Sequence, residues 1–358
     1  MPFDDREFPP VQELAEIRRN RRLVAAWLFA VAGMIWVMVV LGGATRLTGS
    51  GLSIMEWAPV SGILPPMSEA EWNRLYGLYQ QIPQYKLINE GFGLAGFKHI
   101  FWLEWTHRLW GRLVGVVFLV PLLWLAWRGA IERRLLPRLV LLFALGGLQG
   151  LVGWVMVASG FFPESTAVSP YRLVVHLSLA LVLYGAILWT GLSVLRPAPV
   201  RIQGARAARL LARVTLALVG TTIVAGGFTA GLHAGLTYNT FPLMDGSLIP
   251  DGYATLRPFI RNLAENVAAV QFDHRLLATL TLLSVTATLV AGLRARLAGM
   301  ARAALLALGG AVALQYVLGV GTLLLVVPIP LAVAHQASAV LLLTAVLVTV
   351  HALRGARG

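Results

Sequence analysis

Long apolar segments alternate with short polar segments along almost the whole chain. We predict eight membrane-spanning helices, at residues 23–43, 105–127, 137–158, 172–195, 210–230, 268–292, 303–327 and 331–351. Each run has about the 20 apolar residues that a helix needs to cross roughly 30 Å of hydrocarbon. No small-residue cleavage site follows the first run, which favours a retained span over a signal peptide. The pattern predicts an all-α, polytopic membrane protein.

Composition agrees with this pattern. The 358 residues are 58% hydrophobic and only 13% charged, whereas a soluble domain carries about 25% charge. The net charge of +13 is spread among short segments between the spans, which argues against a nucleic-acid partner. The chain has no cysteine, so disulfides, thiolate metal sites and cysteine nucleophiles are excluded.

Charge also predicts how the chain is oriented in the membrane. The segments on one side hold 19 arginines against 6 acidic residues, and the other side has 10 basic and 10 acidic residues. By the positive-inside rule, the arginine-rich side is cytoplasmic. Both termini are then expected in the cytoplasm, with the long loops 44–104 and 231–267 outside.

The first outer loop has helical and aromatic signals of its own. Ser68 and Glu71 form a capping box ahead of EWNRLYGLYQQ, which predicts a short helix. Aromatic residues of the loop suit a lipid–water interface; they are Trp57, Trp72, Tyr76, Tyr79 and Tyr85. We interpret the loop as an interfacial lid, with a docking surface as the alternative.

The two halves of the chain resemble each other. Gly42 and Gly43 match Gly226 and Gly227 at an offset of 184, and three further matches follow in the same order: His107 with His274, Gln149 with Gln315, and His176 with His335. Because each unit has four spans, both enter the membrane in the same direction and should be related by a pseudo-twofold axis along the membrane normal. We therefore expect two four-helix bundles side by side. The predicted divisions are a cytoplasmic segment 1–22, an N-terminal unit 23–195, a linker 196–209, a C-terminal unit 210–351 and a tail 352–358.

Four of the seven histidines form a symmetric set. His107, His176, His274 and His335 open the even-numbered spans, so they should lie at one depth near the outer face, two in each unit. A single such histidine is more often a structural hydrogen-bonding group, but a matched set of four intramembrane ionisable residues points to function. Without cysteines or enough carboxylates, zinc and di-iron sites lack ligands. Two facing imidazoles fit the axial positions of a haem.

Several other residues are candidates for contact with such a haem. Glycines of the third span could let the ring approach the backbone, or could serve only helix packing; they are Gly146, Gly147, Gly150 and Gly153. Arginines that follow ligand candidates could bind propionates, with Arg108 alternatively paired to Glu104; the cations considered are Arg108, Arg275, Arg46, Lys98 and Arg112. The unmatched His99, His233 and His351 are expected to make ordinary polar contacts.

The two units differ beside their first histidine. Glu104 precedes His107 by three residues, whereas Gln271 occupies the matching place before His274. That spacing places Glu104 on the same helix face as His107. Only the N-terminal unit then has an acid–base group beside its haem. This predicts chemistry in the N-terminal unit and electron storage in the C-terminal one, unless Glu104 serves only its ion pair with Arg108. The neighbouring Asp273 should point elsewhere.

At these residues the sequence resembles the haem A synthase family, over nearly the whole chain. The stretches that carry the resemblance are GGATRLTGSGLSIMEWAPVSGILPP, FKHIFWLEWTHRLWGRLVG, FTAGLHAGLTYNTFPLMDG, QFDHRLLAT and AHQASAVLLL. The EWTHR stretch is similar to the family's E-x-x-H-R motif. The chain lacks the cysteine pair in outer loops that one branch of the family carries, and is similar to the branch shared by proteobacteria and mitochondria.

The resemblance implies an oxidoreductase that converts haem O to haem A by oxidising a ring methyl to a formyl group. It implies a resident haem b held by His274 and His335, and a substrate haem flanked by His107 and His176 with Glu104 as a required carboxylate. Haem O synthase would supply the substrate, a reduced electron donor would be needed, and the product would pass to cytochrome c oxidase assembly. Membrane lipid is the surrounding partner, and homo-oligomers are possible.

Alternatives remain open at this point. A haem with both axial positions filled has no place for oxygen, so either His107 or His176 leaves the iron or electrons are removed and water attacks. The second is slightly favoured, with Glu104 accepting a proton. Two competing functions are a di-haem electron carrier between quinol and an outer acceptor, and a non-catalytic haem carrier.

Overall fold

A computed structural model describes residues 11–163 and 165–356. Within these ranges the regular secondary structure is helical, apart from two isolated β-bridges. Parts of the predicted terminal segments, residues 1–10 and 357–358, lie outside the described residues, as does Glu164. The helices, in chain order, are α1 (Val11–Leu47), α2 (Glu69–Tyr79), α3 (Pro83–Leu87), α4 (Gly93–Trp127), α5 (Leu136–Ala158), α6 (Pro170–Leu195), α7 (Arg206–Gly231), α8 (Asn262–Glu265), α9 (Val267–Arg294), α10 (Gly299–Leu324) and α11 (Ile329–Ala352).

Eight of these helices are long and apolar enough to cross a membrane, and they coincide with the eight predicted spans. The all-α, multi-pass prediction is therefore confirmed. Some ends differ from the prediction. Helix α1 already begins at Val11, and α4 begins at Gly93 and not at residue 105. The early start of α4 has a tertiary cause, because its extra turns bury Phe97 and Phe101 under the first outer loop.

The long helices pack in two groups of four. Helix α1 packs on α4 and α6 while α5 packs on the same two helices, so α4 and α6 lie diagonally. In the second group α7 and α10 each pack on α9 and α11, which are again diagonal. The groups meet where α1 contacts α11 and α6 contacts both α7 and α11. These matched contacts are those that a twofold arrangement predicts, and the pseudo-twofold axis itself stays a prediction.

The loop between α1 and α4, which is predicted to lie outside, folds over the first turns of α4 with a small core of its own. Ser68 caps α2 by accepting a hydrogen bond from the Glu71 amide at 3.2 Å, as predicted, while the Glu71 carboxylate pairs with Arg74. Hydrogen bonds from Arg74 hold the pKa of Glu56 and of Glu71 below its usual range. The interfacial placement of the loop aromatics is wrong for Trp72 and Tyr79. Both are buried against α4, because aromatic contacts with Phe97 bury more apolar surface than an interface would.

At the opposite end of the molecule the predicted linker and tail contact each other. Arg209 donates to the Ala356 carbonyl at 3.0 Å, and Arg354 donates to the Arg196 carbonyl. The Ile202 amide also donates a hydrogen bond to the Gly355 carbonyl, which adds a backbone contact between the linker and the tail. The connection between the two groups of helices is thus tied to the last described residues of the second group.

Candidate functional site

The four predicted histidines lie in pairs inside the two groups of helices. His107 on α4 and His176 on α6 come from diagonal helices, and their imidazoles are within range of electrostatic interaction with each other. His274 on α9 and His335 on α11 form the equivalent pair in the second group. Diagonal placement directs both imidazoles of a pair toward the interior of one bundle.

Each of the four imidazoles lies against a glycine on a neighbouring helix. A Cβ built on Gly153, Gly226 or Gly319 would stand 2.8–2.9 Å from the Cε1 atom of its histidine, respectively His176, His274 and His335. Real Cβ atoms do not approach so closely, so these positions require glycine for the rings to lie where they do. The internal repeat indicates that two of these glycines are equivalent, since Gly153 and Gly319 share the offset of 166 that relates Gln149 to Gln315.

His107 is the exception in its orientation. Its Nε2 and Cδ2 edge faces Gly42, with Nε2 at 3.1 Å from the Cβ position. A half-turn about the Cβ–Cγ bond exchanges Nε2 with Cε1 and would give the edge seen in the other three. Ring flips of this kind are assigned from hydrogen bonds, and His107 has no hydrogen bond within the described residues.

The other histidines have different hydrogen-bond partners. Gln149 approaches His176 Nδ1 at 3.1 Å and donates to the His176 carbonyl at 2.9 Å. His274 Nδ1 lies 3.2 Å from the Thr222 carbonyl, and His335 Nδ1 is buried without a hydrogen bond. His274 Nδ1 donates to a carbonyl, which fixes the tautomer that leaves Nε2 free for coordination. His176 Nδ1 instead accepts from the Gln149 amide, which leaves the proton of that neutral ring on Nε2.

The predicted carboxylate is buried beside His107. Glu104 is 4% exposed, and its Oε1 accepts a hydrogen bond of 2.7 Å from Arg108 Nε. The rest of the Arg108 guanidinium donates to the backbone carbonyls of Ile54 and Glu56 in the outer loop. Arg108 therefore joins Glu104 to the loop that covers it, which is the ion-pair alternative considered for this arginine.

The C-terminal unit repeats this arrangement with an uncharged glutamine in the place of the glutamate. Arg275 donates to the carbonyls of Tyr238 and Thr240 and to Gln271 Oε1. The two loop carbonyls on each side are related by the offset of 184 that relates Gly42 to Gly226. Gln271 is 2% exposed, and its amide nitrogen donates to the Ala234 and Thr237 carbonyls. Asp273 accepts a hydrogen bond from Tyr253, away from the histidine pair, as expected.

The other cations considered for propionate binding each make a different contact. Lys98 lies over the Trp72 ring at 5.1 Å, and Arg112 donates to the Ala58 and Pro59 carbonyls. Arg46 makes no side-chain hydrogen bond within the described ranges. It lies near His233, and burial together with the charge of Arg46 lowers the pKa of that imidazole.

The structure also locates the weaker candidates. His99 is exposed, while His351 is buried beside Ser193 and Trp189. Gly146, Gly147 and Gly150 have no atom within 4 Å of a Cβ position, so they make none of the close helix contacts considered for them, whereas Gly153 contacts His176. Sequence reasoning missed the glycine at each histidine and the arginine bonds to loop carbonyls, because both depend on which helices and loops meet.

The residues present fit a haem better than a metal ion bound by protein alone. Within residues 11–163 and 165–356, no group of three His, Cys, Asp or Glu side chains is placed to hold a metal ion. Two imidazoles per bundle match the two axial positions that a macrocycle leaves free. The surrounding span surfaces are apolar, which suits a flat, mostly apolar ring.

Comparison with known proteins adds independent evidence. Residues 25–347 match the family model COX15-CtaA, described as cytochrome oxidase assembly protein. A heme A synthase of Granulibacter bethesdensis is 66% identical over 95% of this chain and 89% of its own length. Heme A synthase 2 of Acidiphilium cryptum and a heme A synthase of Rhodospirillum centenum are each 49% identical, over 94% and 93% of this chain and 93% and 89% of their own.

Proposed function

The chain belongs to the COX15-CtaA family of cytochrome oxidase assembly proteins, and we propose that it oxidises a ring methyl of haem O to the formyl group of haem A. The names of its relatives support this oxidoreductase activity over most of the chain. The observation that carries the proposal is the pair of similar histidine sites of which only one has a buried carboxylate, Glu104.

The two units have different roles in this proposal. His274 and His335 hold a resident haem b in the C-terminal unit, residues 210–351. His107 and His176 flank the substrate haem in the N-terminal unit, residues 23–195. A bound haem b supplies one-electron redox chemistry. The hydrogen bond of His274 with the Thr222 carbonyl supports a ligand that is fixed in place in the C-terminal unit.

Glu104 is the acid–base group of the proposal. Its Oε1 is held by Arg108, and no hydrogen bond reaches Oε2 within the described residues, so Oε2 is the atom that would accept a proton from the substrate methyl or from water. Arg108 positions the carboxylate and holds the outer loop over it, which excludes bulk water. Gln271 cannot accept a proton, which agrees with storage of electrons and no chemistry at the second site.

The proposal also places the molecule in the cell. The arginine-rich segments lie in the cytoplasm, the protein is in the bacterial inner membrane, and the histidine pairs lie near the outer face. Haem O synthase supplies the substrate, an electron donor acts with the enzyme, and haem A passes to cytochrome c oxidase assembly. Arg108 and Arg275 each follow a ligand candidate and could bind propionates, but their bonds to loop carbonyls support a positioning role first.

A matched pair of substitutions tests the division of roles. His107→Ala should keep haem b and lose conversion of haem O, and His274→Ala should lose haem b. His99→Ala, at an exposed histidine outside both pairs, is the control and should change neither. The measurement is chromatographic separation of pigments extracted from purified protein supplied with haem O, with gel filtration as the check on folding.

Two outcomes would overturn the proposal. Stoichiometric haem b with no haem O or haem A, even when haem O is supplied, would indicate a di-haem electron carrier. Equal loss of haem b from His107→Ala and His274→Ala would contradict the assignment of substrate and cofactor to different units.

A further inference from the structure

The two units differ at the seam between the helix that carries the first histidine and the helix that follows it. In the C-terminal unit this seam is between α9 and α10, and it is bridged by a hydrogen bond of 3.2 Å between the Thr279 and Tyr316 hydroxyl groups. The Tyr316 ring also contacts Phe241 of the outer loop, with ring centroids 6.3 Å apart. Side chains and a polar bridge thus close this seam near the outer face.

Neither half of that bridge exists in the N-terminal unit. Gly150 on α5 matches Tyr316, and Arg112 on α4 matches Thr279, at the offsets of the repeat. Gly150 is exposed and has open space where a Cβ would lie. Arg112 extends away from α5 to the loop carbonyls of Ala58 and Pro59. Trp57, which matches Phe241, still contacts Trp154 on α5 with ring centroids 5.3 Å apart, so the loop cover is present in both units. What the seam between α4 and α5 lacks is the side-chain bridge at Gly150.

Two further pairs of positions enlarge the same difference. Gly146 is exposed on α5, whereas its counterpart Val312 is buried on α10. On α4, Gly115 has no neighbour within 4 Å of a Cβ position, whereas its counterpart Leu282 packs against the hydrophobic core. Consistent with these losses, α9 packs more extensively on α10 than α4 does on α5.

The open seam lies at the depth of the histidine pair. Gly150 is one helical turn from Gly153, against which the His176 ring lies, and Gly115 lies about two turns along α4 from His107. The outward surface around the seam is apolar, with Val116 and Leu151 exposed. In a membrane-spanning region such surfaces contact lipid acyl chains.

We infer that the seam between α4 and α5 is the lateral port through which a haem dissolved in the bilayer reaches His107 and His176, and that Tyr316 keeps the C-terminal unit closed. The inference rests on the proposed function, because it takes the N-terminal haem as a substrate that must enter and leave. A flat apolar ring can pass between helices that present glycine, and it avoids crossing the covered outer face. A resident haem needs the opposite, which is a closed seam.

Filling the port tests this directly. Gly150→Tyr restores the side chain found in the C-terminal unit, and it should abolish uptake of haem O by the full-length protein in nanodiscs while haem b stays stoichiometric. Ala144→Tyr adds the same side chain at another exposed position of α5, about 120° around the helix from Gly150, and should bind haem O as the unmodified protein does. Uptake is followed by the change in haem absorbance on mixing.

The reciprocal change tests the closed unit. Tyr316→Gly should speed the transfer of haem b to apomyoglobin, whereas Tyr316→Phe, which keeps the ring and loses only the hydroxyl, should have a smaller effect. Normal haem O uptake by Gly150→Tyr would show that haem does not enter through this seam, and it would overturn the port. A change of oligomeric mass in that variant would identify the seam as a contact between copies, again overturning the port. Failure of the unmodified protein to bind any haem O would instead refute the proposed function.

Discussion

At the scale of single residues, Glu104 and Gln271 occupy matching places with matching neighbours. Each lies on the turn before a histidine, is buried, and accepts a hydrogen bond from an arginine that also holds two loop carbonyls. The difference between them is one ionisable group. A buried ion pair still carries a desolvation cost that the glutamine–arginine pair of the other unit reduces, so its presence in one unit alone is consistent with a use there.

Glu104→Gln should keep the fold and the resident haem b and lose haem A formation. Gln271 shows that an amide is accommodated here, because its nitrogen donates to the Ala234 and Thr237 carbonyls, which match those of Ser50 and Ser53. The measurement is haem b content and thermal midpoint alongside haem A yield. Unchanged haem A formation would indicate a structural ion pair and favour a non-catalytic carrier.

At the scale of helices, the contact between a histidine and a glycine on the next helix is the repeated element of the site. It occurs between α1 and α4, α5 and α6, α7 and α9, and α10 and α11. These are the helix pairs that build each bundle. A methyl group at any of these glycines would have to displace an imidazole or separate two helices.

Gly319→Ala should displace the His335 ring and lower haem b occupancy, because the new Cβ would lie 2.8 Å from His335 Cε1. Gly310→Ala is the matched control on the same helix, since nothing lies within 4 Å of that Cβ position. Occupancy is measured from the haem b to protein ratio after purification. Equal haem content in the two variants would show that the contact does not set the ligand position.

Helices and ligands were predictable from sequence to different degrees. Hydropathy located every span, since about 20 apolar residues have few other uses, and the internal repeat identified the four histidines. Hydropathy did not predict that α4 begins at Gly93, because that start depends on burial of Phe97 under a distant loop. The hydrogen bonds from Arg108 to the Ile54 and Glu56 carbonyls could not be predicted either, since they depend on the conformation of an irregular loop.

At the scale of the whole molecule, the orientation in the membrane is the main prediction still to be measured, and the natural absence of cysteine makes it direct. Met67→Cys and Leu248→Cys lie in exposed parts of the predicted outer loops, and Val200→Cys lies in the exposed linker. In intact spheroplasts a membrane-impermeant maleimide should label the first two and leave the third unlabelled. The reverse pattern would invert the assignment.

The contact of each histidine with glycine-bearing backbone has a consequence for spectroscopy. A ring wedged against a helix cannot rotate freely about its Cβ–Cγ bond, so the angle between the two imidazole planes of a pair is set by the helices that carry them. In a low-spin ferric haem with two imidazole ligands, that angle governs the splitting of the iron d orbitals. The electron paramagnetic resonance spectrum of the haem proposed for the C-terminal unit should therefore report helix packing at Gly226 and Gly319, and a shift in its g values would register a change in the bundle before any ligand is lost.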